Sequence, residues 1–341
     1  MTSEIRQIFA FVRMRIAASA HPAYNPPMKK PERDLTQSER ESFHERGVVI
    51  ASGLFSQDCL DRLASDIDQV VQEPGPMAGP ISVPEEKFSG DLFLWKTNDG
   101  FRDWIFDSPA AQIAHQALGG RSVRHFYDQL FVKPAGCHLP TPWHQDITFW
   151  PVDVESRNFC SIWITLDPVA SASSGLEFII GSHRWPERFK AITPHDDPYM
   201  RDSPFTWPPA IDENREAYEI YSPELGAGDC LIFDAHILHG SSGNHTTDQP
   251  RRAFSSRWFR DEVLYDPRHA TMPLLWTHGL ERGDPLRGDL FPQVLPRTLD
   301  GECARQHGPA EGPDEDLLRT FLEAVASVPQ FPESRPAPPT D

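Results

Sequence analysis

The sequence contains no run of apolar residues approaching the roughly 18 needed to cross a bilayer, so no membrane span is expected. It also lacks an excess of positive charge. Thirty-two Lys and Arg stand against 50 Asp and Glu, a formal net charge of -18. Phosphate repels such a surface, which argues against a general nucleic-acid binder. An anionic substrate stays admissible, because a local basic pocket can coexist with an acidic exterior. Cysteine is sparse and unpatterned: Cys59, Cys137, Cys160, Cys230 and Cys303 form no C-x-x-C pair. Neither a zinc knuckle nor a disulfide framework is indicated, and free thiols in a reducing cytoplasm are the expectation. The mildly apolar start is interrupted by Arg13 and Arg15, a poor secretory signal. No internal repeat is present, and the chain ends Pro338-Pro339-Thr340-Asp341 with no S-K-L address.

What is present is a chain of 341 residues, 39% hydrophobic and 24% charged, sufficient for one large core with extensions. An amphipathic helix is expected over 3–19 and a proline-bearing linker to 34. Thr36, with Glu39 three residues on, forms a capping-box pattern, and Gly47 ends that helix. Val48-Val49-Ile50 reads as a strand. Ser56 caps a helix in which Leu60, Leu63, Ile67 and Val70 recur at helical spacing. Residues 74–91 read as a loop, and 101–118 as one helix ending at Gly119-Gly120. From Val123 short strands take over: 125–132, 161–166, 176–180, 230–233 and 253–260, parted by turn residues. That texture suggests an antiparallel sandwich or barrel, since no alternating strand–helix units occur. The polar stretch 186–222 reads as an insertion able to cover a site. One helix is expected at 314–327, before a Pro-rich tail. The expected organisation is therefore an N-terminal helix and linker (1–34), a mainly β domain with flanking helices (35–302), and a C-terminal helix and tail (303–341).

The informative stretch runs Pro142-Trp143-His144-Gln145-Asp146-Ile147-Thr148-Phe149-Trp150. On an extended strand, residues two apart face the same way, so His144 and Asp146 can reach one ion. Two histidines and one carboxylate on one face of an octahedral metal leave positions open for oxygen chemistry on Fe(II). H-x-D alone is common. The third ligand comes from Phe233-Asp234-Ala235-His236-Ile237-Leu238-His239-Gly240-Ser241. His236 and His239 would face opposite sides of a straight strand, so only one should reach the metal. Twelve residues after His239 comes Arg251-Arg252. A guanidinium presents a planar fork that matches a carboxylate, as a diacid co-substrate chelating iron at its other end would require. Trp143, Phe149, Trp150 and Trp258 read as core aromatics that also have the option of walling a pocket.

Together these residues resemble the phytanoyl-CoA dioxygenase family of Fe(II)/2-oxoglutarate oxygenases. Three blocks carry the resemblance, which spans about 43–258. Leu130-Phe131-Val132-Lys133-Pro134 leads into Trp143-His144-Gln145-Asp146. Trp163-Ile164-Thr165-Leu166-Asp167 leads into Ser174-Gly175-Leu176-Glu177 and Gly181-Ser182-His183. Gly228-Asp229 leads through His239-Gly240-Ser241 to Arg251-Arg252-Ala253. The resemblance implies a double-stranded β-helix (jelly roll, cupin-like) core and Fe(II) held by His144, Asp146 and His239. It implies 2-oxoglutarate chelating that iron while Arg251, helped by Ser241, holds its far carboxylate. Trp163 and Gln129 fall where family members line the co-substrate pocket. Arg252 competes with Arg251, and Lys96 aligns poorly with a further contact. Related halogenases lack the carboxylate ligand, so Asp146 favours hydroxylation.

The expected function follows: a dioxygenase that consumes O2 and 2-oxoglutarate, releases succinate and CO2, and hydroxylates an unactivated carbon of a small molecule, with ascorbate in support. A secondary metabolite suits it better than an acyl-CoA, because only scattered arginines such as Arg184, Arg188 and Arg201 offer themselves to a CoA phosphate. Desaturation, cyclisation or epoxidation at the same iron is the alternative. A non-catalytic cupin-like binding protein is the alternative of another class. The expected assembly is a monomer or homodimer.

Overall fold

The computed structural model describes residues 28–190, 203–297 and 313–326. The N-terminal helix expected over 3–19, most of its linker, Cys303 and the Pro-rich tail lie outside these residues, as does Arg201. Helix α1 (Gln37–Arg46) carries the full capping box: Thr36 accepts from the Glu39 amide while Glu39 reaches back to the Thr36 amide. Gly47 ends it in the left-handed conformation at φ 82°, where a side chain would also collide with His183. Strand β1 (Val48–Ala51) follows, then helix α2 (Gln57–Gln72), capped by Ser56. The apolar stripe of α2 places Cys59, Leu63, Ile67 and Val70 against the core.

Two sequence expectations need correction next. The stretch 74–91 is not a plain loop. It holds single helical turns and the start of β2 (Ser89–Leu92), which pairs with a later strand. Proline and glycine hid a segment whose backbone is satisfied by Ser82 bonding Gly90 and Asp91 bonding Gly75. The helix expected over 101–118 is two: α3 (Asp99–Asp107) and α4 (Ala110–Leu118). Pro109 explains the break, since it forces Ser108 out of the helical region, to ψ 168°.

The β region begins with β3 (Val123–Lys133) and β4 (Thr141–His144). The strand expected to carry both His144 and Asp146 stops at His144 and gives way to the turn α5 (Asp146–Phe149). Then come β5 (Phe159–Thr165), β6 (Leu176–Ile179), β7 (Ile220–Tyr221), β8 (Cys230–Asp234), β9 (His239–Ser241), β10 (Arg251–Arg260) and β11 (Gln293–Leu295). Helix α6 (Glu315–Ala326) closes the described chain. All strand pairs are antiparallel. Seven strands form one sheet in the order β1-β8-β5-β10-β3-β11, with β2 also on β3; four form the other, β4-β9-β6-β7. The two sheets face each other as a jelly roll with helices on the outer face of the larger one.

Side-chain alternation along β10 organises this layout. Phe254 and Trp258 point outward into a cluster with Leu63, Trp104 and Ile113 of the helices. Trp258 is fully buried there, and truncating it to alanine would cost about 3–5 kcal/mol. Arg251, Ala253, Ser255 and Arg257 take the other face, toward the second sheet. Opposite them on β3 stand Lys133, Phe131, Gln129 and Tyr127. The ladder slips by one residue just past Arg257, leaving Phe126 unpaired; a second slip on β4 lies between Thr141 and His144. Such bulges bend a strand and re-aim its side chains. In the 186–222 stretch, Phe189 and Ile211 pack on Trp143 and Leu238, on the outer side of the smaller sheet.

Candidate metal centre and diacid clamp

His144 is the last residue of β4, and Asp146 the first of α5. Gln145 between them stays extended, at φ -110° and ψ 126°, so the two side chains still point the same way although the strand has ended. His239 opens β9 and pairs directly with His144 across the ladder. Their rings lie 4.2 Å apart, centroid to centroid. One nitrogen or oxygen from each of His144, Asp146 and His239 falls within 4.8 Å of the other two, the one such group of His, Cys, Asp and Glu among the described residues.

The tautomers are set by the backbone. His144 Nδ1 lies 2.8 Å from the Pro142 carbonyl and His239 Nδ1 lies 3.0 Å from the Ile237 carbonyl. A carbonyl only accepts, so Nδ1 carries the proton in both rings and both Nε2 lone pairs are free to ligate. Burial, then the neighbouring His144, pushes His239 down to about 4, so its imidazole is neutral at ordinary pH, as a ligand must be. Burial opposes ionisation of Asp146, but the Arg257 guanidinium and both histidines outweigh it and hold the carboxyl below the usual range. Asp146 Oδ2 also accepts from the Ser161 hydroxyl, 3.3 Å away. Two neutral imidazoles and one carboxylate, each oriented by a second group, fit a single divalent ion with open positions.

His236 stands elsewhere. Its ring bonds Asp234 Oδ1 at 3.0 Å and the Val154 carbonyl at 2.9 Å, fully buried. The two arginines of β10 also part ways. Arg252 lies on the outer face, bonded to Asp167 and Asp68. Arg251 points inward and is 1% exposed. Its guanidinium sits 5.6 Å over the Trp163 ring and donates to Ser174 Oγ at 3.4 Å, while its Nε has no partner.

Beside Arg251 is a residue the sequence reading gave no role: Lys133, also 1% exposed. Its Nζ donates to Ser174 Oγ (3.0 Å), Ser241 Oγ (3.2 Å) and the Ser242 carbonyl (3.3 Å), and lies 3.4 Å from Thr141 Oγ1. Burial and the adjacent Arg251 charge push this amine down to about 6. Burial likewise lowers Arg251 to about 10. Ser174, held at a left-handed φ of 65°, accepts from both cations. A backbone in that region costs about 1–3 kcal/mol and persists where its surroundings impose it. A guanidinium and an amine in one dry corner, neither bonded to a carboxylate among the described residues, form a receptor for a carboxylate. A signal for Lys133 existed: it sits opposite Arg251 in the β3–β10 ladder, so the parity that turned Arg251 inward turned it inward too.

The remaining expected residues divide. Ser241 and Trp163 stand at the Arg251 end. Gln129 stands nearer the other: its Oε1 accepts from Arg257 Nη2 at 2.9 Å. Arg257, 4% exposed, is the second residue without an expected role; it lies 4.3 Å over the Tyr127 ring, with Nε 3.6 Å from Asp146 Oδ2. Trp150 and Trp258 are core, and Trp143 turns outward to donate to Asp212. Lys96 lies over the Trp95 ring. Of the arginines considered for a CoA phosphate, Arg188 is buried and bonds Glu155 with two backbone carbonyls. No helix among the described residues is long and apolar enough to cross a membrane.

The family model described as Phytanoyl-CoA dioxygenase (PhyH) matches residues 43–253. The ectoine dioxygenase of Stutzerimonas stutzeri (strain A1501) is 27% identical over 216 residues, 60% of this chain and 71% of that protein. Among solved structures, the non-heme alpha ketoglutarate dependent carbocyclase SnoK from nogalamycin biosynthesis superposes with a TM-score of 0.60 at 21% identity, covering 79% of this chain and all of that one. The epimerase SnoN, in complex with Fe3+, alpha ketoglutarate and nogalamycin RO, reaches 0.62 at 19% identity over 76% and 98% of the two chains.

Proposed function

The chain belongs to the phytanoyl-CoA dioxygenase family of non-haem iron, 2-oxoglutarate-dependent oxygenases, and from that premise we propose that it hydroxylates an unactivated carbon of a small molecule at an iron held by His144, Asp146 and His239. One observation carries the reading: a two-histidine, one-carboxylate cluster faces the same interior as a buried guanidinium and a buried amine, Arg251 and Lys133. A metal-binding module with no diacid partner has no use for that pair. The oxygenase domain is assigned to 35–302.

The protein's part is orientation and dryness. When bound, iron with 2-oxoglutarate supplies the oxidising power, with succinate and CO2 released. Nδ1–H donation to Pro142 and Ile237 fixes the imidazoles so that only Nε2 faces the ion. Arg251 and Lys133, with Ser241 and Ser174, hold the far carboxylate of the diacid, and Trp163 backs the guanidinium. Presence of the Asp146 carboxylate leaves no ligand position for a halide in its place, which favours hydroxylation.

The test is succinate release from 2-oxoglutarate with Fe(II) and ascorbate. Beside it, metabolite extracts are screened by mass spectrometry for a gain of one oxygen, with His144→Ala as control. Turnover dependent on His144 supports the reading. No turnover, together with no 2-oxoglutarate binding by calorimetry, would replace it with a binding module.

A further inference from the structure

We infer that Gln145 is a positioning residue for the metal: its side-chain amide locks the strand end that carries His144 and Asp146 to the turn that delivers His239. The inference rests on the metal assignment above and adds to it the group that keeps the three ligands in one arrangement.

Gln145 lies between two ligands in sequence, on extended backbone, so His144 and Asp146 share one face and Gln145 takes the other. Its side chain is fully buried and bonded on three sides. Nε2 donates to the His236 carbonyl at 3.0 Å and reaches the Glu187 carbonyl at 3.5 Å, while Oε1 accepts from the Phe189 amide at 3.1 Å. Both donor hydrogens are taken. Every partner is a backbone group, so the amide fixes where three stretches of chain stand relative to the ligands.

The His236 carbonyl is a telling one to hold. It belongs to the connection between β8 and β9, which ends at His239. The next carbonyl, that of Ile237, accepts from His239 Nδ1 and sets that ring. The preceding carbonyl, that of Ala235, accepts from the Ile147 amide at 3.0 Å. The residues on both sides of Asp146 therefore bond successive carbonyls of the turn that presents His239. A rotation of the peptide between His236 and Ile237 would misalign the His239 ring, and Gln145 opposes that rotation. The His236 ring, bonded to Asp234 and the Val154 carbonyl, pins the same residue from its other end.

Filling space here would not require an amide. Phe189, whose N–H Gln145 accepts, packs with Trp143, Ile179, Ile211 and Leu238 in a buried apolar cluster. A methionine has similar volume and a lower desolvation cost, but it leaves the His236 carbonyl and the Phe189 amide without partners. A satisfied buried polar network admits one arrangement where apolar packing admits several. The bond to Phe189 also brings the start of the 186–222 stretch into the lock, so a shift at Phe189 is felt at the ligands.

The experiment uses the full chain. Mn(II) affinity is measured by calorimetry for the unmodified protein, for Gln145→Met and for Leu63→Ala, whose truncation lies in the helix cluster outside the larger sheet. Melting temperatures show how far each variant is destabilised. Gln145→Met should weaken Mn(II) by about 10–100-fold, the usual worth of a group that orients a metal ligand. Leu63→Ala should melt earlier yet bind Mn(II) as the unmodified protein does. At saturating Fe(II), Gln145→Met should lower kcat for succinate release and leave the KM for 2-oxoglutarate unchanged, because the carboxylate clamp stands on the other sheet. An equal loss of Mn(II) affinity in both variants overturns the proposal, since a loosened fold would then suffice. A raised KM with unchanged kcat also overturns it, since the effect would lie at the clamp. If Gln145→Met does not fold, the unmodified protein decides: hydrogen exchange at the Phe189 amide should slow on Mn(II) loading, and unchanged exchange overturns the lock. No Mn(II) binding by the unmodified protein brings down the metal assignment and this inference with it; binding that Gln145→Met leaves undiminished defeats this inference alone.

Discussion

The two sheets contribute opposite halves of the site, and they do so with different architecture. The four-stranded sheet supplies the proposed metal ligands from its margins: His144 ends β4, Asp146 starts a helical turn, and His239 opens a three-residue strand. The seven-stranded sheet supplies the cations from one end of its longest ladder: Lys133 closes β3 and Arg251 opens β10, directly opposite each other. The ligands sit on short segments joined by a slip and a helical turn, which lets them converge on a point. The cationic pair is fixed in spacing and direction by the unbroken register that runs from it to Tyr127 and Arg257, which suits a clamp for one carboxylate. Convergence is thus a property of the short strands, and placement of the long ladder.

The sharpest way to break this contrast is Asp146→Ala. Succinate release should fall to background and Mn(II) binding should be lost, while far-UV circular dichroism stays native. Thermal stability should drop as well, because Arg257 loses the buried carboxylate 3.6 Å from its Nε. Surviving turnover would remove Asp146 from the metal set. Next in size, Arg251→Ala should leave Mn(II) binding nearly unchanged yet weaken 2-oxoglutarate by about 2–5 kcal/mol, roughly 30-fold or more by calorimetry. A comparable loss of metal affinity would show that the two sheets do not divide the work.

The third prediction concerns protons. Burial and Arg251 hold Lys133 down to about 6, so at pH 8 the amine is neutral before the co-substrate arrives. A carboxylate against it favours the ammonium, and binding should take up close to one proton at pH 8. Near pH 5 the amine is already charged and uptake should disappear. Calorimetry in buffers of different ionisation enthalpy reads this directly, and Lys133→Met should abolish it. The same depression has a consequence for the ligand-free fold. In the unfolded chain this lysine titrates near 10.4. Between about 6 and that value the unfolded state holds the extra proton, so stability should rise with pH across that window. The smallest effect belongs to Arg252→Ala. Its ion pairs with Asp167 and Asp68 lie on the outer face, and their loss should cost no more than about 1 kcal/mol without changing 2-oxoglutarate affinity.

These contrasts also decide what was readable from the sequence. The large sheet was legible because β3, β5 and β10 are long enough for alternation to show, and alternation alone separates Arg251 from Arg252. The helices declared themselves through caps at Thr36 and Ser56. The small sheet was far less legible. Strands of two or three residues such as β7 and β9 have no period to detect, and the end of β4 at His144 is set by tertiary contacts of α5, whose first amide after Asp146 bonds the Ala235 carbonyl. Asp146 was paired with His144 on strand parity, and it meets His144 because Gln145 alone remains extended. Lys133 and Arg257 went unassigned for another reason. A lysine or arginine in a strand reads as a solvated edge until its cross-strand partner is known, and that partner lies some 120 residues away in the chain.

The ladder skips Phe126, yet its ring is fully buried against Tyr127, Trp150, Phe159 and Phe291. The residue without a cross-strand partner is thus anchored by packing, and the change of register in β3 is held by the core and not by the turn of a loop. Phe126→Ala should cost about 3–5 kcal/mol. A slip of register at this point carries the penalty of an emptied core, which keeps the strand beyond it in one setting.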